Sequence, residues 1–184
     1  MSRVENIQRL NIVNIDISPN DGIVKLIEVR KNLKYFEYLH SSNLNVISSI
    51  IENCGGRLKK ILFRPYDLKE IRRDFKNSKL SINRIESLEE ITENGGTLLK
   101  IFINSAPTNL KELRFFEEFK FSLENLEEFL GKWKGCPFSI LTCDSLYESE
   151  DYKKLIDKYK NNGIIKEFRY EIDYRELINS FIVL

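Results

Sequence analysis

Apolar residues along this chain fall into a short motif, apolar-x-x-apolar-x-apolar, that returns at a nearly constant interval. It reads Ile7-x-x-Leu10-x-Ile12, Leu33-x-x-Phe36-x-Tyr38 and Leu58-x-x-Ile61-x-Phe63 in the first third. Further copies are Leu98-x-x-Ile101-x-Ile103, Leu110-x-x-Leu113-x-Phe115 and Ile165-x-x-Phe168-x-Tyr170, with a weaker one at Pro137-x-x-Ile140-x-Thr142. Apolar side chains at alternating places over so few residues predict a strand with one face in a core. The fourth positions fall at residues 10, 36, 61, 101, 113, 140 and 168, giving steps of 26, 25, 40, 12, 27 and 28. Four of the six steps lie between 25 and 28, which is far more regular than chance matches in a Leu- and Ile-rich chain. The uneven pair between 61 and 113 adds to 52, room for two ordinary units divided unequally.

Between these marks the periodicity changes to that of a helix. Leu44, Ile47, Ile50 and Ile51 share one helical face, as do Leu123, Leu126, Phe129, Leu130 and Trp133. Tyr152, Leu155, Ile156 and Tyr159 form a third such face, and Ile23, Leu26 and Ile27 a shorter one. Ser87-x-x-Glu90 reads as a capping box opening a helix ahead of the strand expected at 98–103. Gly56, Gly96 and Gly163 each stand five residues before a strand mark, where a left-handed turn ends a helix. The unit is therefore β-α, and such units bury their apolar faces only by stacking. The expectation is an α/β solenoid forming one domain over 1–184, irregular between 65 and 97. Seven parallel strands about 4.8 Å apart would line a concave face about 30 Å across, with helices on the convex side.

The pleat then names the concave side chains, because the third, fifth and seventh places of each unit point away from the core. The partner-binding candidates on that face are Arg9, Tyr35, Glu37, Leu39, Lys60, Leu62, Arg64, Lys100, Phe102, Glu112, Arg114, Phe116, Leu141, Glu167 and Arg169. Asn11, Val13, Asn104, Ser139, Cys143 and Glu171 fill the remaining places. Apolar groups mixed with charge, including exposed Leu39, Leu62, Phe102 and Phe116, suit a protein partner.

Charge narrows the partner further. Twenty-nine Lys and Arg face 28 Asp and Glu, a net charge of +1, with no basic block for neutralising phosphates. Nucleic acid is therefore not expected. No run approaches the roughly 20 apolar residues that span a bilayer, so no membrane partner is expected. Cys54, Cys136 and Cys143 make an odd set with no C-x-x-C pair, and Met1 to Glu5 leads into polar sequence. These features predict a reducing intracellular compartment, cytoplasmic or nuclear, with unbridged thiols.

Catalytic constellations are sparse. His40 is the single histidine, which removes most hydrolytic and zinc arrangements and leaves it a surface or loop role. Cys54 and Cys136 precede strands and read as small apolar packing residues, whereas Cys143 on the concave face is the thiol candidate. Gly55-Gly56 and Gly95-Gly96 match neither phosphate-loop pattern. Glu117-Glu118 and Glu127-Glu128 read as solvated faces, and Phe115, Phe116, Phe119 and Phe121 as strand core rather than a base-stacking platform. No enzyme activity, cofactor or metal is expected.

Asn109-Leu-Lys-Glu-Leu-Arg-Phe-Phe116, Phe121-Ser-Leu-Glu-Asn-Leu-Glu-Glu-Phe-Leu130 and Lys132-Trp-Lys134 also carry a family likeness, continued by Ser139-Ile-Leu-Thr142 and Asp151 to Gly163. In these stretches the chain resembles the leucine-rich-repeat region of F-box/LRR proteins, especially a large fungal group of them. The likeness covers most of the chain and is strongest after residue 93. It implies the leucine-rich-repeat, ribonuclease-inhibitor-like form of the solenoid, irregular and partial. It also implies a protein-binding module serving as the substrate-recognition part of an SCF-type ubiquitin ligase, with an unknown target protein. Two features depart from the pattern. The repeats begin at Ile7, leaving six residues where an F-box of roughly 40 would stand, so Skp and cullin components are expected only if an F-box is supplied elsewhere. The ninth positions, Ser41, Tyr66, Ala106, Glu118 and Asp173, lack the regular Asn or Cys ladder. The alternative expectation is a stand-alone scaffold, or a truncated or degenerate paralogue associating through an end.

Overall fold

In the computed structural model, residues 8–13, 33–39, 44–54, 56–64, 88–105, 108–115 and 119–170 are described. Among them the chain is α/β, with one parallel sheet and helices on one side. The strands are β1 (Arg9–Val13), β2 (Tyr35–Leu39), β3 (Lys60–Arg64), β4 (Glu112–Phe115), β5 (Phe138–Thr142) and β6 (Ile165–Arg169). The helices are α1 (Leu44–Asn53), α2 (Leu88–Ser105), α3 (Leu123–Lys132) and α4 (Glu150–Asn161), with a 3₁₀ turn at Ser145–Glu148. Strand order in space is the order in sequence, β1 through β6, and every pairing is parallel. Helices α1 to α4 pack on one another in the same order. Two layers that each advance in sequence order are compatible with a stack of β-α turns.

The sequence marks set the register of this sheet. Leu10 pairs with Phe36, Phe36 with Ile61, Ile61 with Leu113, Leu113 with Ile140 and Ile140 with Phe168. Register is held this firmly because a one-residue slip would turn each apolar set to the wrong face. The approach to each strand repeats as well. The carbonyl of Gln8 accepts from Lys34 and Tyr35, that of Lys34 from Lys59 and Lys60, and that of Lys59 from Lys111 and Glu112.

The mark at residue 101 is the exception. Residues 98–103 lie inside α2 rather than in a strand, and β3 pairs directly with β4 through Lys60↔Glu112, Ile61↔Leu113 and Leu62↔Arg114. The 52-residue step from 61 to 113 is therefore a single crossing. Burial shows why: Leu98, Leu99 and Phe102 are buried, while Glu93, Thr97, Lys100 and Asn104 are exposed. Both sets have helical spacing. The strand motif matched because Ile101 and Ile103 are apolar, yet they are only half-buried flanks of the helix face.

Gly95 and Gly96 consequently sit within α2 and stop nothing. A Cβ at Gly95 would stand 2.0 Å from the Lys120 carbonyl oxygen, and one at Gly96 2.5 Å from the Asn125 amide nitrogen. Glycine is needed there because α2 approaches the chain entering α3 that closely. Gly56 and Gly163 do end their helices as expected, with φ of 74° and 71°. At the start of α3, the Ser122 hydroxyl caps the Asn125 amide, and Glu124 and Lys132 sit at the ends that suit the helix dipole. The capping box at Ser87, the short helix at 23–27 and His40 lie outside the described residues, as do all of 65–87 and both ends of the chain.

The core is the space between the layers. Phe36, Ile61, Phe63, Leu113, Phe115, Ile140 and Phe168 meet Ile47, Ile50, Leu98, Phe102, Leu126, Phe129 and Tyr147 there. Ring contacts run through it: Phe102 to Phe129 at 6.1 Å, Phe115 to Phe121 at 4.5 Å and Phe129 to Phe138 at 5.8 Å. Each such pair adds about 0.5–1.5 kcal/mol beyond burial. Phe115 and Phe121 are thus core, as the alternation implied, and Phe119 leans on Phe63 at 5.2 Å. Three tyrosines tie the α3–α4 region to this core. The Tyr147 hydroxyl accepts from the Phe121 amide, Tyr152 donates to the Phe121 carbonyl at 2.7 Å, and Tyr159 donates to the Glu127 carbonyl.

Candidate interaction surface

Side chains turned away from the helices form rows that cross all six strands. The third-position row is Arg9, Tyr35, Lys60, Glu112, Ser139 and Glu167, each opposite the next in register. Beside it runs the fifth-position row of Asn11, Glu37, Leu62, Arg114, Leu141 and Arg169. Twelve of the fifteen sequence candidates belong to, or border on, this face by strand position. Leu39 and Arg64 stand opposite each other at the ends of β2 and β3. Phe116 lies outside the described residues.

Lys100 and Phe102 do not belong to it. Both are α2 residues on the other side of the sheet: Lys100 is exposed on the outer helix surface, and Phe102 is fully buried against Phe63 and Phe129. Asn104 follows Lys100 on the exposed side. The physical cause is the period, because a helix turns by 100° per residue and separates positions that a strand would align.

The face is also less open than the pleat suggested. Leu62 and Leu141 are 0% and 1% exposed although neither belongs to the helix-side core, and Glu37 and Arg114 are both 3% exposed. A pleat fixes which face a residue occupies, but burial depends on what else the fold brings near. Exposure is retained along the third-position row, where Arg9, Tyr35 and Lys60 are half-buried, and at Glu167 and Arg169 on β6.

Charges on this face are matched, two pairs across strands and two within a strand. Lys60 Nζ lies 3.4 Å from Glu112 Oε2, directly opposite on β4. Arg114, two residues along β4, aims both Nε and Nη2 at Glu112 Oε1 at 2.7 Å. Arg9 reaches Glu37 diagonally at 3.5 Å, and Arg169 meets Glu167 at 2.8 Å. A guanidinium as buried as that of Arg114 is tolerable only with such a carboxylate beside it. The Glu112 carboxylate therefore joins Lys60 and Arg114 into one cluster at the centre of the sheet.

Two interstrand ties lie at the approach to β4 and β5, four residues before each aligned core residue. Asn109 Nδ2 donates to the Gly56 carbonyl at 2.8 Å, and Cys136 Sγ donates to the Leu110 carbonyl at 3.3 Å. The sequence signal for them was present, since Asn109 and Cys136 hold the same place before Leu113 and Ile140. Asp144 just after β5 caps the Leu146 amide and lies 3.5 Å from Lys120, but the distance of the two in sequence gave no hint of it.

Among the described residues no group of His, Cys, Asp and Glu could hold a metal ion, and no helix is long and apolar enough to cross a membrane. The three cysteines form no disulfide. Burial pushes the Cys54 thiol up to about 11, against a smaller opposing pull from Arg57, which keeps it protonated and unreactive near neutrality. No protein-family model matches the chain, no curated protein matches it, and no solved structure matches it.

Proposed function

We propose that this protein is a protein-protein interaction module built as an irregular, partial leucine-rich-repeat solenoid, resembling the substrate-recognition part of an F-box ubiquitin ligase. The observation that carries the reading is the third-position row. Six strands advance in sequence order and present Arg9, Tyr35, Lys60, Glu112, Ser139 and Glu167 side by side. Half-buried cations, one aromatic and carboxylates on a rigid sheet supply orientation and charge complementarity with little ordering cost on binding. Catalysis has less support, since the described carboxylates on this face are engaged by cations. In this reading the sheet holds a target protein and presents it to a ligase assembled elsewhere, with Skp and cullin components joined only through an F-box supplied elsewhere. The alternative is a stand-alone scaffold.

Quantitative affinity capture from cell extract tests the proposal, comparing the wild type with Tyr35→Ala and Glu167→Lys. Glu167 is 47% exposed at its side chain, so its reversal changes the face without uncovering the core. The same target should be captured by the wild type and fall at least about tenfold with either variant while Tm is kept. Unchanged capture by both variants would remove the sheet face from the proposal. Enrichment of Skp and cullin beside the target would favour the ligase role, and their absence the scaffold.

A further inference from the structure

Lysines recur at one repeat position that the sheet face does not use. Lys34, Lys59 and Lys111 each stand two residues before the aligned core residues Phe36, Ile61 and Leu113. They are 25 and 52 residues apart in sequence, so no basic block shows there. In the fold they occupy adjacent strand approaches: the Lys59 amide donates to the Lys34 carbonyl and the Lys111 amide to the Lys59 carbonyl, each at 2.7 Å. With strands about 4.8 Å apart, the three backbones span about 10 Å. Arg57, exposed on the approach to β3, adds a fourth cation.

This rim differs from the sheet face in its pairing. On the face, Arg9, Lys60, Arg114 and Arg169 each have a carboxylate partner. On the rim, Lys34 donates to the neutral Gln8 side chain and Arg57 to the Asn53 carbonyl, whereas among the described residues Lys59 and Lys111 have no carboxylate within ion-pair distance. The described approaches, 33–34, 56–59 and 108–111, contain no Asp or Glu. Like charges stacked on neighbouring strands oppose folding. A sheet that pairs the cations of its open face, yet leaves this stack of cations without a described carboxylate, carries at its rim a field suited to an anion arriving from outside.

We propose that the strand-approach rim of β2, β3 and β4 docks an acidic, extended segment of a partner protein, whose carboxylates lie across Lys34, Lys59 and Lys111. A short acidic peptide fits the span. Nucleic acid fits less well, because its binders engage about 6–10 phosphates, whereas this rim offers four cations on a chain of net charge +1. The rim lies beside the sheet face, so the inference stands whether or not that face binds a target.

Fluorescence anisotropy of a labelled hexaglutamate peptide with the full chain tests it, at ionic strengths of about 0.05 and 0.3 M. The wild type should bind and weaken as salt rises. Replacing Lys34, Lys59 and Lys111 together by Gln should weaken binding at least about tenfold. The same replacement at Lys153, Lys154 and Lys160, exposed on α4 and equal in charge, should change it less than about twofold. Tm of the rim variant should be no lower than that of the wild type, since repulsion has been removed; binding loss with a lower Tm would overturn the proposal. So would equal loss in both triple variants, no binding by the wild type, or tighter binding of a single-stranded oligonucleotide of equal charge.

Discussion

Replacing Gly95 by Ala should destabilise the protein, against the ordinary preference of helices. Glycine inside a helix is about 1 kcal/mol less favourable than alanine, so helix propensity by itself predicts a gain. Yet a Cβ at residue 95 would lie 2.0 Å from the Lys120 carbonyl oxygen and 3.0 Å from Phe121 Cδ1. The first distance is about 1.4 Å short of ordinary contact, and a backbone carbonyl cannot swing aside as a side chain can. Relief requires α2 to withdraw from 120–121, where Phe121 is buried against Phe115 and its backbone bonds to Tyr147 and Tyr152. Overpacking of this kind costs about 3 kcal/mol at the upper end of its usual range. Set against the propensity gain, the net loss is about 2 kcal/mol, or about 4–8 °C in Tm for a chain of this size. Thermal and urea unfolding followed by far-UV circular dichroism would measure it. Gly96→Ala meets only the movable end of Asn125 and should lose less, and Gly131→Ala, near the Tyr159 hydroxyl at 3.1 Å, should stay within about 0.5 kcal/mol of wild type. A Gly95→Ala protein as stable as wild type, or more so, would refute both the close approach and the helical assignment of 95–96.

Two further outcomes are expected. Tyr147→Phe removes the hydroxyl that accepts the buried Phe121 amide at 3.2 Å, which should cost about 1–3 kcal/mol in urea unfolding with the m-value unchanged; a loss below about 0.5 kcal/mol would show that the amide finds another acceptor. The Cys54 thiol ionises near 11 in the folded chain against 9.0 when unperturbed, so the unfolded chain loses its proton first and stability should fall as pH rises from 9 to 11. Cys54→Ala should lack that component of the slope, and an identical slope in both proteins would count against the buried thiol.

Much of the sheet was legible in the chain. Six strand marks became six paired rungs, because the side-chain alternation of a strand is local and the stacking of identical units repeats it at a fixed interval. The helix faces at 44–51, 123–133 and 152–159 were legible for the same reason, as were the left-handed turns at Gly56 and Gly163. The candidate surface was legible only as far as the pleat determines it, which covers Arg9, Tyr35, Lys60, Glu112, Glu167 and their neighbours on the face.

Tertiary structure decided the rest. Leu98 to Ile103 satisfies a strand template and a helix template equally well, and the choice fell to the helix that packs Leu98, Leu99 and Phe102 into the core. That removed Lys100 and Phe102 from the sheet face and turned Gly95-Gly96 from a stop into a place of close approach. The burial of Leu62 and Leu141, the clamp of Glu112 on Arg114 and Lys60, and the unbalanced stack of Lys34, Lys59 and Lys111 all join residues separated by tens of positions. Local sequence fixes which way a side chain points along its own strand. Which charges meet, and which are left facing one another, depends on the register between strands and exists only once the sheet has formed.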